Sequence, residues 1–413
     1  MSSNDIIVSL DIGTSKVRAI IGEVNNGAIN IIGVGSADSE GIRKGAIVDI
    51  DQTVQSIRNA VEHAERMVGI QISEVYVGIQ GNHIALQTNR GVVAVSNEDR
   101  EIGEEDIERV LQAAKVVALP PEREIINLVP KQYLVDGLEG ISDPRGMIGV
   151  RLEVEATIVT GTKTAIHNLM RCVEKAGLRI SGVILLSLAS GMMSLSKDEK
   201  MIGTVLADIG AGSCTIAVYE QGGLAAVSTL PIGGEYVTND IAYGLRTQGD
   251  QAEKFKLKYG CANTADAAED VKFKVTRMGS NLEKEFSQRD LASIIEPRMV
   301  EIFHLIRQEV RRLGYGDKVN GYVLTGGTVS LPGTLPLAQA ELEASVRIAV
   351  PDYIGVKDPA YSSGVGMIQY VSKYMGARGT GAVKKAPSRK AGPSAPTKPG
   401  MFERIKNMFN EFI

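Results

Sequence analysis

Runs rich in β-branched residues open two distant parts of the chain in the same way. Near the N-terminus, residues 6–34 predict three strands, and the first of them closes with Asp11-Ile-Gly. About half a chain later, residues 204–229 predict three more, and the first of these closes with Asp208-Ile-Gly. The chain therefore contains two strand–turn–strand–turn–strand units, each with an aspartate–glycine turn after its first strand.

Amphipathic helices are predicted between and after these units. Apolar residues recur at helical spacing before Gly69 and again before Gly177, and a glycine in this position is a common helix end. A later helix is predicted over residues 293–313, with Pro297 in its first turns, where proline is tolerated. Strands followed by helices in each half predict an α/β protein with two lobes of common design.

Two stretches interrupt this framework. Residues 84–160 contain an acidic helix (104–117) and several strands, which predicts a small inserted α+β subdomain, and residues 231–292 are helix-rich and polar, which predicts a cap on the second lobe. The predicted lobe cores are residues 1–83, 161–186 and 350–375 for the first lobe, and residues 187–230 and 293–349 for the second.

The last part of the chain has a different composition. Residues 376–400 are almost all small, proline or basic, which predicts a flexible basic linker. Residues 401–413 then return to helical periodicity and predict a C-terminal amphipathic helix that lies in an anionic membrane interface. Docking of this helix on the protein's own body or on a partner is the alternative. The residues of its apolar stripe are Met401, Phe402, Ile405, Met408, Phe409, Phe412 and Ile413.

Composition narrows the classes of protein. The three cysteines have no CxxC spacing, which argues against a disulfide framework or a zinc site. We expect no exported leader and no bilayer-spanning helix, because no charged leader with an apolar run opens the chain and no run approaches ~18 apolar residues. The formal net charge of −4 combines a basic tail with an acidic body, and we therefore expect no nucleic-acid partner.

The two aspartate–glycine turns have the composition of phosphate-binding turns. Glycine and small hydroxylated residues between two strands expose backbone N–H groups toward an anion. Asp11 and Asp208 could hold Mg²⁺ directly or through water, since this ion needs few carboxylates. One such turn alone is more often a plain hairpin turn, but two copies favour a phosphate site. The candidate residues of the turns are Asp11, Gly13, Thr14, Ser15, Lys16, Asp208, Gly210, Ala211, Gly212 and Ser213.

Three further patterns are candidates for nucleotide contacts. A double glycine after the predicted strand 321–325 could pack against a flat ring, although a simple strand-end turn is the alternative. Glu253 and Lys256 lie three residues apart on one helix face, where a solvated surface bridge is the alternative. The candidate residues in these patterns are Gly233, Gly234, Glu235, Glu253, Lys256, Gly326, Gly327 and Thr328.

Taken together, the motifs resemble those of the actin, sugar-kinase and heat-shock chaperone ATPase superfamily. The resemblance implies an actin-like two-lobed ATPase fold with duplicated ribonuclease H-like cores that hold ATP and Mg²⁺ between them. By resemblance, residues 11–16 and 208–213 match the two phosphate loops, and residues 324–328 match the adenosine loop. Residues 232–235 and the pair Glu253/Lys256 look like chaperone-type nucleotide contacts.

Within the superfamily, residues 41–49, 239–242, 295–298 and 361–366 resemble segments of the FtsA family of bacterial cell-division proteins. This likeness implies an ATP-binding protein that polymerises on the cytoplasmic face of the inner membrane at the septum. It also implies anchoring of the ring of tubulin-like FtsZ and recruitment of later division proteins. Arg298 and Glu301 match the part of the family that holds the FtsZ tail.

One departure from the superfamily concerns hydrolysis. Members that hydrolyse ATP well carry a Glu or Gln in the segment joining the lobes, and residues 183–190 contain neither. We therefore expect slow ATPase activity at most, and no dedicated metabolic reaction. Two alternatives remain open. One is an actin-fold small-molecule kinase, for which no acidic base can be named, and the other is an assembly-platform protein of pilus or secretion systems.

Overall fold

The β-rich opening of the chain forms most of the sheet of the first lobe. The computed structural model describes residues 5–276 and 283–375, and the predicted linker and C-terminal helix (376–413) lie outside them. Asp49 caps the first helix by accepting from the Gln52 amide at 3.0 Å, and Gly69 ends it in the left-handed conformation. The first elements are β1 (Asp5–Ile12), β2 (Lys16–Asn25), β3 (Ala28–Asp38), β4 (Ile42–Arg43), β5 (Ala46–Ile47), α1 (Ile50–Val68) and β6 (Glu74–Ile79).

An inserted α+β subdomain follows β6. Its elements are β7 (Ala85–Ala94), α2 (Glu104–Ala114), β8 (Arg123–Val135), β9 (Leu138–Ile141) and β10 (Arg151–Thr162). They form one sheet of order β7-β10-β8-β9, with α2 packed on it. The helix lies so close that a side chain at Gly91 would meet the Val110 carbonyl oxygen at 2.2 Å. It ends at Ala114, short of the predicted Val117, before β-branched residues and prolines that disfavour helix.

The chain then returns to complete the first lobe and cross to the second. The elements of this return are α3 (Lys163–Lys175), β11 (Arg179–Leu185), α4 (Leu186–Ser194) and α5 (Lys197–Ile202). The completed sheet has the order β11-β6-β1-β2-β3. Helices α1 and α3 cover one face of this sheet, and α4 contributes to the apolar cluster on the other.

The second lobe repeats this arrangement. Its elements are β12 (Thr204–Ile209), β13 (Cys214–Glu220), β14 (Gly223–Leu230), α6 (Gly234–Leu245), α7 (Gly249–Tyr259), β15 (Lys272–Thr276), β16 (Glu283–Ser287), α8 (Gln288–Arg312), β17 (Gly321–Thr325), α9 (Thr334–Leu342) and β18 (Ser345–Ile348). The last α-helix of the described chain is α10 (Ser362–Tyr370). The main sheet has the order β14-β13-β12-β17-β18. Helix α10 returns to the first lobe, where Val365, Met367 and Ile368 pack with residues of β1, β2 and α4.

The two main sheets have the same topology. β1 pairs antiparallel with β2 and parallel with β6, and β12 pairs antiparallel with β13 and parallel with β17 in the same positions. The predicted duplication is therefore present in the strand order as well as in the sequence. Among the described residues, no helix is both long enough and apolar enough to span a bilayer.

The longest helix differs from its prediction. α8 begins at Gln288 rather than at residue 293, because Ser287 and Asp290 form a capping box in which each side chain accepts from the other's backbone amide. Pro297 therefore lies inside the helix and not in its first turns. The flanking residues Ile295 and Met299 are fully buried, so packing of the apolar face holds the helix across the proline.

Candidate functional site between the two lobes

The first turn candidate closes the hairpin between β1 and β2. The Gly13 amide donates to the Lys16 carbonyl oxygen at 3.1 Å, which folds residues 13–16 into a tight turn after Asp11. The Lys16 ammonium pairs with Asp38 across β2 and β3 at 2.5 Å. Thr14 and Ser15 line the cleft between the lobes, whereas Lys16 is not among its lining residues.

The second turn has the same geometry. The Gly210 amide donates to the Ser213 carbonyl oxygen at 2.9 Å, as Gly13 does to Lys16 in the first turn. The two turns face each other closely, because a side chain at Gly212 would lie 2.7 Å from Thr14 Cγ2 and Oγ1. The fold therefore brings the two predicted phosphate turns together from opposite lobes.

Asp11 and Asp208 lie near the ends of β1 and β12, close enough for the charge of one to act on the other. Burial raises the pKa of Asp11 above its ordinary value, and the charge of Arg18, its register partner on β2, opposes this shift. Burial and the nearby Asp11 charge raise the pKa of Asp208 to about 6, although Ser363 donates to its carboxylate at 3.1 Å. Two desolvated carboxylates that disfavour each other's charge suit a divalent cation. No cluster of three or more His, Cys, Asp or Glu suited to a metal occurs in residues 5–276 and 283–375. The pair of aspartates remains the predicted magnesium position.

Glycines in the second lobe allow its backbone segments to pack closely around the second phosphate turn. A side chain at Gly326 would meet Asp208 Oδ1 at 2.4 Å, and one at Gly233 would meet the Gly210 carbonyl oxygen at the same distance. Thr328 Oγ1 donates to the Gly210 carbonyl oxygen at 2.8 Å. Gly327 differs, because a side chain there would find only Ala360 Cβ, at 3.7 Å. Its open Cα face is where an additional molecule could pack against backbone.

Lys256 joins α7 to the start of α6. Its ammonium donates to the Gly234 carbonyl oxygen at 3.0 Å and to Thr238 Oγ1 at 2.8 Å, and it pairs with Glu253 at 2.6 Å. The lysine side chain is only 9 % exposed. The Glu253 side chain is 40 % exposed, so the pair is a half-buried bridge in the cleft wall rather than a fully solvated surface bridge.

A cleft of about 760 Å³ lies between the lobes, and the predicted residues that line it are Thr14, Ser15, Ala211, Glu235, Glu253 and Lys256. Asp11, Asp208 and the glycines at 233–234 and 326–327 are not among its lining residues. The first lobe contributes the first phosphate turn and residues 38–52, and the second contributes Ala211, Glu235 and parts of α6 and α7. Ser39 Oγ, on the first-lobe side, is buried and has no hydrogen-bond partner among the described residues. A polar ligand bound between the lobes could supply the hydrogen-bond partner that this buried hydroxyl lacks.

Sequence reasoning missed several residues at this site. It did not assign Ser363, which reaches Asp208 from the start of α10, or the β4–β5 hairpin, although residues 41–49 had been singled out for their likeness to the family. It also sought a glutamine only in residues 183–190. Gln80, directly after β6, accepts from Thr215 Oγ1 at 3.5 Å, and Thr215 is the register partner of Asp208. The sequence signal for Gln80 is its position directly after a strand that lies beside β1, at the same end as Asp11.

Arg298 and Glu301 lie on α8, outside the residues that line the cleft. Arg298 bridges to α6 through two bonds to Asp240, at 2.6 and 3.0 Å, and it also pairs with Glu301. Hydrogen bonds to these carboxylates, Asp240 first, raise the pKa of Arg298 further. The two predicted partner-binding residues therefore share one charged surface cluster.

Comparison with known proteins identifies the family. A profile described as "Cell division protein FtsA" matches residues 205–366, and one described as "SHS2 domain inserted in FTSA" matches residues 81–160. The chain is 50% identical to "Cell division protein FtsA" of Bacillus subtilis (strain 168), over 90% of this chain and 85% of that protein. It is 36% identical to the protein of the same name from Escherichia coli (strain K12), over 88% of this chain and 90% of that protein. The chain belongs to the FtsA family.

Solved structures support the fold of this FtsA-family chain. The "PilM-PilN type IV pilus biogenesis complex" gives a TM-score of 0.61 at 15% identity, covering 88% of this chain and 98% of that chain. MreB5 of Spiroplasma citri bound to ADP gives a TM-score of 0.54 at 12% identity, covering 90% of this chain and 97% of that chain. At these identities the likeness concerns the fold alone. The predicted family resemblance and the two-lobed actin-like fold with its inserted subdomain are confirmed.

Proposed function

We propose that this chain binds ATP with Mg²⁺ between its lobes and serves cell division as a membrane-attached, polymerising anchor for the FtsZ ring. The observation that carries the nucleotide part is the meeting of two phosphate-type turns from opposite lobes beside a cleft that Thr14, Ser15 and Ala211 line, with two desolvated carboxylates on the adjoining strands. Membership of a family of cell division proteins supports a role in cell division. The MreB5 structure bound to ADP supports nucleotide binding by this fold.

Each part of the cleft has a role in this proposal. The backbone amides of residues 14–15 and 211–213 bind phosphate oxygens, with the hydroxyls of Thr14 and Ser15 as additional donors, whereas the Gly13 and Gly210 amides close the two turns. Asp11 and Asp208 hold Mg²⁺, directly or through water, and this ion would offset the charge of the phosphates when bound. Glu253 and Lys256, with the glycine turns at 233–234 and 326–327, receive the adenosine.

Hydrolysis is a secondary activity in this proposal. Gln80 supplies a side-chain amide next to Thr215, and a glutamine can orient an attacking water in phosphoryl transfer. In this structure Gln80 is engaged with the opposite lobe, and no carboxylate base is assigned. We therefore propose slow turnover, with ATP acting mainly as a ligand that joins the two lobes.

The remaining parts of the proposal concern partners. The Arg298–Asp240–Glu301 cluster is a partly exposed group of charges, and we propose it as the contact for the FtsZ C-terminal tail. The apolar stripe of residues 401–413, outside the described residues, is proposed to attach the protein to anionic lipids on the cytoplasmic face of the inner membrane at the septum. We propose that filaments of this protein, once attached to the membrane at the septum, recruit later division proteins.

Two substitutions test the nucleotide site. Asp208→Ala removes a proposed magnesium ligand, and Gly327→Leu places a side chain in space that the fold leaves open. Each is expected to weaken ATP–Mg²⁺ binding at least 10-fold, roughly 1.4 kcal/mol, measured by titration calorimetry on the full chain. Asp198→Ala, at an exposed position on α5, is the matched control. Unchanged affinity in both site variants, with the fold intact by circular dichroism, would defeat the assignment.

A further inference from the structure

The β4–β5 hairpin is rooted in the first lobe. Ile42 is buried and Ile47 packs against the core of that lobe. The amides of Val48 and Asp49 both donate to the Gly41 carbonyl oxygen, at 2.8 and 3.1 Å, which closes the base of the hairpin. Its base is therefore fixed, and its two-residue tip projects from the first lobe.

The tip has an unusual residue at its first central position. Lys44 and Gly45 both have positive φ, 50° and 77°, as the central residues of a type I′ turn do. Asparagine, aspartate or glycine is preferred there, because a longer side chain disfavours the left-handed conformation. Lysine at this position is explained if its side chain makes a contact that the turn itself does not need.

The tip lies against the second lobe. The Lys44 ammonium is 5.7 Å from the ring centroid of Tyr236, on α6. A side chain at Gly45 would come within 3.5 Å of Ser213 Oγ in the second phosphate turn. The Gly45 amide also donates to Thr14 Oγ1 at 3.2 Å, in the first phosphate turn. Two adjacent residues thus contact the first phosphate turn and the helix that follows the second lobe's third strand, and they lie beside the second phosphate turn.

Tyr236 is held from its own lobe as well. The guanidinium of Arg298 lies 5.7 Å from the ring centroid, and Asp240 fixes that guanidinium with two hydrogen bonds. The ring is half-buried, so part of it remains available to the hairpin. Lys44 therefore meets an aromatic side chain whose position is already set by α6 and α8.

We propose that the Lys44–Gly45 tip is a latch that holds the lobes together over the nucleotide cleft, with Tyr236 as its docking point. Lys44 and Tyr236 are positioning residues in this inference, which rests on the proposed nucleotide site. They act through Gly45, whose amide orients the Thr14 hydroxyl at the first phosphate turn. Because the latch crosses from one lobe to the other, it retards release of the nucleotide.

Hydrogen–deuterium exchange on the ligand-free full chain tests the latch directly. Tyr236→Leu, a change in the second lobe, is expected to speed exchange of the amides of residues 43–48 in the first lobe about 2- to 5-fold, the effect of losing one exposed cation–π contact. Lys44→Ala is expected to do the same, and the double variant should show no further increase. Tyr236→Phe and Lys44→Arg, which keep the ring and the cation, should restore slow exchange.

Release of a fluorescent ATP analogue then tests the role in binding. In both disrupting variants the dissociation rate should rise about 2- to 5-fold, and the conservative variants should behave as the wild type. Normal exchange of residues 43–48 in Tyr236→Leu would overturn the latch, as would additive effects in the double variant. If the exchange results hold but the wild type binds no nucleotide, the latch stands as a contact between the lobes and the proposed nucleotide function fails.

Discussion

Asp208 illustrates what a single residue contributes that its sequence context does not reveal. Its place at the end of a strand, followed by Ile-Gly, predicted a metal or phosphate role from the pattern alone. The rise of its pKa to about 6 depends on burial and on Asp11, which is about half the chain away in sequence. The sequence pattern singles out Asp208 as a candidate. The raised pKa of its carboxyl group arises only when folding buries it and brings Asp11 close.

The raised pKa predicts how the ligand-free protein responds to pH. A carboxyl group whose pKa is raised by folding binds more protons in the folded state, so its contribution to stability falls as pH rises from about 4 through 6. Asp208→Asn removes this contribution. Between pH 5 and pH 7 the free energy of unfolding of the wild type should fall by roughly 1 kcal/mol relative to that of the variant.

Urea denaturation at several pH values, without nucleotide or divalent ions, measures this difference. Added Mg²⁺ should reduce the difference at pH 7 if Asp11 and Asp208 bind the ion. A constant difference between wild type and Asp208→Asn across this range would show that Asp208 titrates near its ordinary value.

At the scale of elements, hydrophobic periodicity predicted strands and helices best where one face is buried. Helix α1 follows the predicted pattern because its apolar positions pack on the sheet, and Gly69 ends it as expected. The start of α8 was predicted too late, since its first residues are polar and only the Ser287–Asp290 capping box fixes where the helix begins. The contact of α8 with α6 through Arg298 was outside the reach of periodicity, because it joins helices far apart in the chain.

The proposed FtsZ contact on this helix pair can be tested by charge reversal. Arg298→Glu would place a third carboxylate beside Asp240 and Glu301, and it removes the cation proposed to receive an acidic tail. We expect binding of an FtsZ C-terminal peptide to weaken at least 10-fold, measured by fluorescence anisotropy. Arg312→Glu, the same charge reversal at an exposed position near the end of α8, is the matched control. Equal peptide affinity in the two variants would remove Arg298 from the site.

At the scale of the whole molecule, the chain leaves the first lobe at α4, builds the second, and returns with α10 to pack against α4. The duplication was predictable from the two aspartate–glycine turns, because repeated turns in repeated strand patterns require similar folds. The latch and the Gln80–Thr215 contact were not predictable, since they depend on how the finished lobes face each other. The lobes are thus joined through several contacts near the cleft.

Assembly of copies affects how strongly the predicted helix of residues 401–413 would bind a membrane. A helix over residues 401–413 would be about 20 Å long at ~1.5 Å per residue, and so short a helix is mostly unfolded in water. Its folding free energy is subtracted from its membrane affinity, so one copy should bind only weakly and reversibly. Copies joined in a filament insert their later tails at high effective concentration, which can raise avidity about 10²- to 10⁴-fold. We therefore predict that attachment depends on self-assembly.

Liposome sedimentation with anionic vesicles tests this dependence. Phe409→Glu places a charge in the apolar stripe and should release the protein while ATP binding persists, and Phe402→Glu should act in the same way. Asn410→Glu, on the predicted polar face, adds the same charge and is the matched control. Salt at about 0.5 M should weaken attachment, because it screens the basic residues of 376–400 from the lipid headgroups. A monomeric, assembly-deficient variant that sediments with vesicles as fully as the wild type would show that one tail suffices, and avidity would then have no part in attachment.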